Sequence, residues 1–303
     1  MTNLEPTVTA SWAFEEGDEI APGRSVLKPL GGVSELYETY LVWDQHRFAI
    51  MVAKVVRRDR AGHKSARRGL EREARALRRL GHPIVVRAFD VVTGGPHPHL
   101  LIEHLEGLTL LSVVRREGPL PVEQLLPLAL HMASALHYFA AEGYLHMDVK
   151  PANIIMGVPP KLIDLSLVHT VKEAQALTSL VGTDAYAAPE QCVPGQAGPI
   201  GPPADVWGLA ATLHYAAAGS VPFPRPSPEE RYTVADRFPQ LEDMPTPLPG
   251  SVPREFRELI ASALNRDPKQ RPTASELATA LQPLVASLPW RFVMTKSGWR
   301  AKN

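Results

Sequence analysis

The hydrophobic period of this 303-residue chain changes once, and that change limits the folds open to it. LYETYLVWD (36–44) and RFAIMVAKVVR (47–57) are rich in aromatic and β-branched residues. Only Gln45 and His46 separate them, so they predict a hairpin. From Lys64 to Leu80 the period becomes helical, with Leu70, Ala74, Leu77 and Leu80 on one face and Gly81-His82-Pro83 as a stop. IVVRAFDVV (84–92) and HLLIEHL (99–105) predict two more strands around a glycine turn. Val122 to Ala141 predicts a helix that buries Leu125, Leu128, Met132, Leu136 and Phe139, with Pro127 expected to kink or fray its first turns. A sheet with one helix followed by a largely helical remainder argues for an α+β or two-lobed chain and against alternating βαβ units.

Composition narrows the class further. The longest apolar stretch, VWGLAATLHYAAAG from Val206, is shorter than the roughly 18–20 residues a membrane helix needs, and His214 interrupts it. The first twenty residues have no basic residue and no apolar core of a secretory signal. One cysteine, Cys192, forms no internal disulfide. These features predict a cytoplasmic protein with no transmembrane segment. The formal net charge is zero, which argues against a nucleic-acid binder working through a bulk positive field. Charge is segregated locally, however. Residues 1–20 are acidic, and the predicted helix 64–80 is strongly basic. Prolines cluster in 193–203 and 222–253, stretches expected to be surface connections rather than regular helix.

The chemistry is concentrated in HMDVKPANII (146–155), a loop-like segment. An aspartate there (Asp148) can accept a proton from a hydroxyl. A lysine two residues on (Lys150) can neutralise a phosphate. An asparagine oxygen (Asn153) is a hard ligand for Mg²⁺. In KLIDLS (161–166), Asp164 follows an apolar strand-like run and starts a turn, which suits a second metal ligand.

In this order the motifs resemble those of the eukaryotic-type (Hanks-type) Ser/Thr protein kinases, in particular the bacterial branch. The family's H-R-D-L-K-P-x-N is represented by His146 to Asn153 and its D-F-G by Asp164-Leu165-Ser166. GTDAYAAPE (182–190) resembles the segment ending in A-P-E, and DVWGLA (205–210) the helix whose leading Asp ties down the catalytic loop. In NRDPKQRP (265–272), Arg271 is the expected partner of Glu190. Upstream, VAK (52–54) resembles V-A-I-K, Glu73 the helix glutamate, and LIEHLEG (101–107) the hinge. The resemblance spans roughly residues 24–285, leaving an acidic segment (1–23) and a basic tail (286–303). It implies a bilobal α+β kinase fold, with an antiparallel sheet and one helix in the N-lobe and a mainly helical C-lobe.

It also implies roles. Lys54, paired to Glu73, would hold the ATP phosphates under the loop containing Gly31 and Gly32. Leu36, Ala53 and Ile155 would sandwich the adenine, the backbone of Glu103 and Leu105 would bond its edge, and Ile102 would be the gatekeeper. Asp148 would orient and deprotonate the acceptor hydroxyl, Lys150 would stabilise the transferred phosphoryl, and Asn153 and Asp164 would bind Mg²⁺. The implied activity is ATP-dependent phosphorylation of protein Ser/Thr hydroxyls, including its own, with Thr178 and Ser179 as candidate sites.

Three departures stand out. The glycine-rich loop is short and has Ser34 and Glu35 where a third glycine is sought. Met147 replaces an arginine that commonly pairs with a phosphorylated activation segment, so phosphorylation there is not expected to be the on-switch. Leu165-Ser166 replaces Phe-Gly. The loop motivates a pseudokinase scaffold as the alternative. A small-molecule phosphotransferase is disfavoured by Lys150 and GTDAYAAPE. The basic helix 64–80 further suggests docking of the acidic segment 1–20 or of an acidic partner.

Overall fold

The computed structural model describes residues 11–31, 36–224 and 233–289. The chain divides into two compact units. One comprises residues up to Gly81, Val86–Glu106 and Asp164–Ser166. The other comprises His82–Val85, Gly107–Ile163 and the chain from Leu167. The first is an antiparallel sheet with one long helix and the second is mainly helical, the division expected from the change of period.

The first unit is built on six strands, β1 (Glu19–Ala21), β2 (Arg24–Pro29), β3 (Tyr37–Asp44), β4 (Ala49–Val56), β5 (Ala88–Val92) and β6 (His99–Glu103), in the order β1-β2-β3-β4-β6-β5. Helix α1 (Lys64–Arg79) lies between β4 and β5 in sequence. Strand alternation gives the sheet two unlike faces. Tyr37, Thr39, Val52 and Lys54 share one face with Leu100 and Ile102, as their cross-strand pairing requires. That face meets α1, where the Tyr37 hydroxyl donates to the Ala66 carbonyl at 3.3 Å.

The opposite face carries Val26, Tyr40, Val42, Met51, Ala53, Val55 and Leu101, and Ile20, Trp12 and Phe14 cover it. Trp12 is fastened there twice. Its indole N–H donates to the Val56 carbonyl at 2.8 Å, and its backbone N–H donates to the Glu38 carboxylate. Trp12 and Phe14 therefore lie on the face turned away from α1, and residues 17–20 run along the sheet edge beside β2. This corrects the expectation that the acidic segment docks beside the basic helix; residues 1–10 lie outside the described residues. The Trp12 side chain packs against Phe14 and His97 and bonds a neutral carbonyl, with the Arg58 guanidinium 5.8 Å from its ring, so its loss should depend only weakly on salt. Trp12→Ala is expected to cost about 2–3 kcal/mol, below the range for a fully buried tryptophan because Trp12 is only half-buried. Denaturant melts at low and high ionic strength check this; a change under about 0.5 kcal/mol, the usual size of an ordinary surface substitution, would refute it.

The second unit contains α2 (Leu110–Glu117), α3 (Val122–Ala141), the short strands β7 (Tyr144–Leu145), β8 (Ile154–Ile155), β9 (Lys161–Leu162) and β10 (His169–Thr170), then α4 (Val171–Gln175), α5 (Pro189–Cys192), α6 (Pro202–Ala218), α7 (Val234–Arg237), α8 (Arg254–Ala263) and α9 (Ala274–Ala286). Helix α3 runs unbroken through Pro127 and buries all five of its expected apolar residues. The apolar run from Val206 is α6, buried along nearly its whole length rather than membrane-spanning. Its His214 ring nitrogens face the Ser220 carbonyl on one side and the Thr246 carbonyl and hydroxyl on the other. Pro202 and Pro203 open α6, so the proline-rich stretch 193–203 does enter a helix, at its first turn, where proline has no N–H bond to lose.

Candidate active site

The first unit brings Lys54, Glu73 and Asp164 together. The Lys54 amine lies 2.8 Å from Glu73 Oε2 and 2.6 Å from Asp164 Oδ1. It also sits 4.8 Å from the centre of the Tyr37 ring. Burial alone would lower the lysine's pKa. The two carboxylates outweigh burial and hold it above the ordinary lysine value, so the amine is a fixed cation. Glu73 also accepts the Leu165 backbone N–H at 3.2 Å, which couples helix α1 to the residue after Asp164. Asp164 itself holds a left-handed backbone, φ 63°, uncommon outside glycine.

Strand alternation corrects one expectation. Ala53 faces away from Lys54, into the cluster under Trp12 and Phe14, and is fully buried there. The neighbours that share the lysine's face are Val52 and its cross-strand partner Ile102. The motif here is one residue shorter than V-A-I-K, and counting back two from Lys54 would have found Val52. Leu36 precedes β3, and its carbonyl accepts the Arg57 N–H. Gly31 accepts the Thr39 hydroxyl through its carbonyl. Gly32, Ser34 and Glu35 lie outside the described residues. In β6, the Glu103 N–H is taken by the Arg87 carbonyl, and Leu105 follows the strand.

The second unit brings Asp148, Lys150, Asn153 and Thr183 together. Asp148 Oδ2 lies 2.6 Å from the Lys150 amine, and Oδ1 accepts the Thr183 hydroxyl at 2.7 Å. Lys150 also donates to the Thr183 oxygen at 2.7 Å. The Asn153 amide nitrogen donates to the Asp148 carbonyl and to Oδ2, which leaves its oxygen, the hard-donor end, for another partner. The loop is held from beneath. The buried Asp205 carboxylate accepts the N–H groups of His146 and Met147 at 2.7 and 2.8 Å. Gly208 allows α6 to approach, since a Cβ there would lie 3.2 Å from the Val149 carbonyl oxygen. Ile155 is in β8, paired with Lys161. Farther along, Glu190 and Arg271 form a two-point ion pair at 2.7 and 2.9 Å with both side chains 0% exposed.

Each unit offers one hard oxygen donor of the kind Mg²⁺ takes: the Asp164 carboxylate in the first and the Asn153 amide oxygen in the second. Among the described residues, no cluster of three or more His, Cys, Asp or Glu could cage a metal alone. Mg²⁺ is commonly held in this way, by one or two protein oxygens together with phosphates.

Comparison with known proteins gives one family. The protein kinase domain model matches residues 30–281. The chain is 28% identical over 264 residues to the serine/threonine-protein kinase PknB of Mycobacterium leprae, covering 83% of this chain and 41% of that one. It is 30% identical over 282 residues to the serine/threonine-protein kinase pkn2 of Myxococcus xanthus, covering 87% of this chain and 32% of that one. It is also similar to the probable serine/threonine-protein kinase PkwA of Thermomonospora curvata, at 30% over 234 residues, 76% of this chain and 30% of that one. The chain thus spans less than half the length of these curated relatives.

Proposed function

This chain belongs to the protein kinase family, and from that premise we propose that it transfers the γ-phosphate of ATP to serine or threonine hydroxyls of proteins, its own included. The observation that carries the proposal is the hydroxyl already bound at Asp148. Thr183 makes the contact that an acceptor serine or threonine would need, with Lys150 beside it.

In the proposed mechanism Asp148 orients the acceptor hydroxyl and takes its proton, and Lys150 neutralises charge on the group in flight. Lys54, held by Glu73, positions the α/β-phosphates. Mg²⁺, when bound, neutralises the phosphate oxygens, with Asp164 and Asn153 as the proposed ligands. Leu36, Val52 and Ile155 are proposed to line the adenine, with Val52 in place of Ala53. The backbone of Glu103 and Leu105 is proposed to bond its edge, and Gly31 and Gly32 to cover the phosphates. No covalent intermediate forms on the protein, and catalysis is positioning plus electrostatics.

The scaffold-only alternative rested on residues 32–35, outside the described residues. The ion pairs of Lys54 with Glu73 and of Lys150 with Asp148, each within its own unit, support the transferase reading instead. No described helix is long and apolar enough to cross a membrane. A cytoplasmic location is proposed because ATP is supplied there. Helix α1 exposes Lys64, Arg68, Arg75, Arg78 and Arg79 around the acid Glu71, a surface that suits an acidic protein partner.

The test is mass spectrometry of the purified protein incubated with Mg²⁺, ATP and a Ser/Thr/Tyr peptide panel. Phosphoserine or phosphothreonine on peptides or on the chain is expected. Absence of any phosphorylated product would overturn the assignment.

A further inference from the structure

The activation segment has to be held against the catalytic loop, and here Met147 leaves no arginine to hold it through a phosphate. The structure offers another tether. Gln191 is the third residue of α5, directly after Glu190, whose pairing to Arg271 anchors that turn. Its side chain is 2% exposed. The amide oxygen accepts the Ala188 N–H at 3.1 Å. The amide nitrogen donates to two carbonyls, Met147 and Val181, each at 2.9 Å. Both amide protons are therefore spent joining one catalytic-loop residue to one activation-segment residue.

Each end of that bridge bears on the chemistry. Met147 has φ 70°, and its N–H is already fixed by Asp205. With its carbonyl fixed by Gln191, the peptides on both sides of Met147 are held, the second of them leading into Asp148. At the other end, Val181 is followed by Gly182, φ 116°, where a Cβ would lie 2.9 Å from the Met147 oxygen and 3.2 Å from Gln191 Nε2. Only glycine permits that approach. The next residue, Thr183, reaches Asp148 and Lys150 through its hydroxyl. Residues 181–183 are thus stitched to residues 147–150 by hydrogen bonds that contain no phosphate, while Thr178 and Ser179 are exposed.

Resting on the kinase reading above, we infer that Gln191 is a positioning residue: it holds Val181–Thr183 on the catalytic loop, so that the site is set for transfer with no phosphate on Thr178 or Ser179. A purely local role, capping α5, would need only the amide oxygen. The two donated bonds reach out of the helix.

The experiment uses the full chain with Gln191→Met, which keeps the length of the side chain and removes its donors, and Gly182→Ala, whose Cβ crowds the Met147 oxygen and the Gln191 amide and so displaces the same segment while leaving the Gln191 and Asp148 side chains chemically intact. Both are expected to lose about 10–100-fold in kcat with the KM for ATP within about twofold, the scale of a small misplacement of reacting groups. Amide hydrogen exchange should quicken at Val181–Thr183. Thr178→Ala/Ser179→Ala should keep kcat within about threefold, since the tether contains no phosphate. The inference is overturned if folded Gln191→Met retains wild-type kcat, or if the double alanine variant is inactive. Should Gln191→Met fail to fold, Gly182→Ala decides, and unchanged turnover there overturns it. Exchange does not require activity. A wild-type chain that transfers no phosphate therefore defeats the kinase reading, while exchange still shows whether Gln191 holds the segment.

Discussion

Asp148→Asn should reduce phosphoryl transfer by about 10³-fold, within the 10²–10⁴ range of a positioned acid–base group, and leave the fold intact. The carboxylate serves three donors, Thr183, Lys150 and Asn153, through two oxygens. An amide offers one oxygen and turns an NH₂ toward either a hydroxyl proton or an ammonium. The acceptor loses its base, and Lys150 loses the partner that aims it. Backbone contacts from Asp205 stay, because they attach to residues 146 and 147 rather than to the side chain. Steady-state transfer to a peptide, with a thermal melt as control, measures both halves. Turnover near wild type would mean that the proton goes elsewhere. Lys54→Ala and Asp164→Ala should fall with it, but through ATP and metal rather than through the acceptor.

The largest structural loss is expected at Arg271. Its guanidinium meets Glu190 at two points, donates to the carbonyls of Pro203, Asn265 and Arg266, and lies 4.9 Å from the Trp207 ring centre. Removing one partner of a buried pair strands the other charge. Arg271→Ala is therefore expected to cost about 3–5 kcal/mol, a large share of the roughly 5–15 kcal/mol that stabilises a typical protein. Arg271→Lys should also be damaging, since a single ammonium cannot span both carboxylate oxygens and three carbonyls. Arg271→Met with Glu190→Gln should recover part of the loss, because no bare charge remains. Denaturant unfolding of the set checks the ordering. An Arg271→Ala variant within about 1 kcal/mol of wild type, the scale of an exposed ion pair, would remove the premise.

The parts of the fold that were legible in the sequence are those written in side-chain period. The β3–β4 hairpin, α1 and α3 all announce themselves by apolar spacing. β1 and β2 do not, because EIA and RSVLKP are short and join the sheet through backbone pairing. The proposed catalytic loop was legible because the roles proposed for Asp148, Lys150 and Asn153 call for distinctive side chains. What holds that loop was not. Gln191 and Gly208 act on carbonyls of residues distant in sequence, and no local pattern specifies where a carbonyl will end up. Ala53 was misplaced for a related reason. A family motif matched by content hid a one-residue difference in length, and in a strand one residue reverses the face.

Strand β4 is a single chain thick, so whatever grips one side of it grips the other. Trp12 hangs from Val56 and Glu38, at the same end of the hairpin as the Lys54 amine. The amino-terminal strap is therefore a handle as well as a cover. Tension entering through Trp12 would be borne by the two strands that carry Lys54 and Tyr37, and peeling the strap away would slacken the amine's footing.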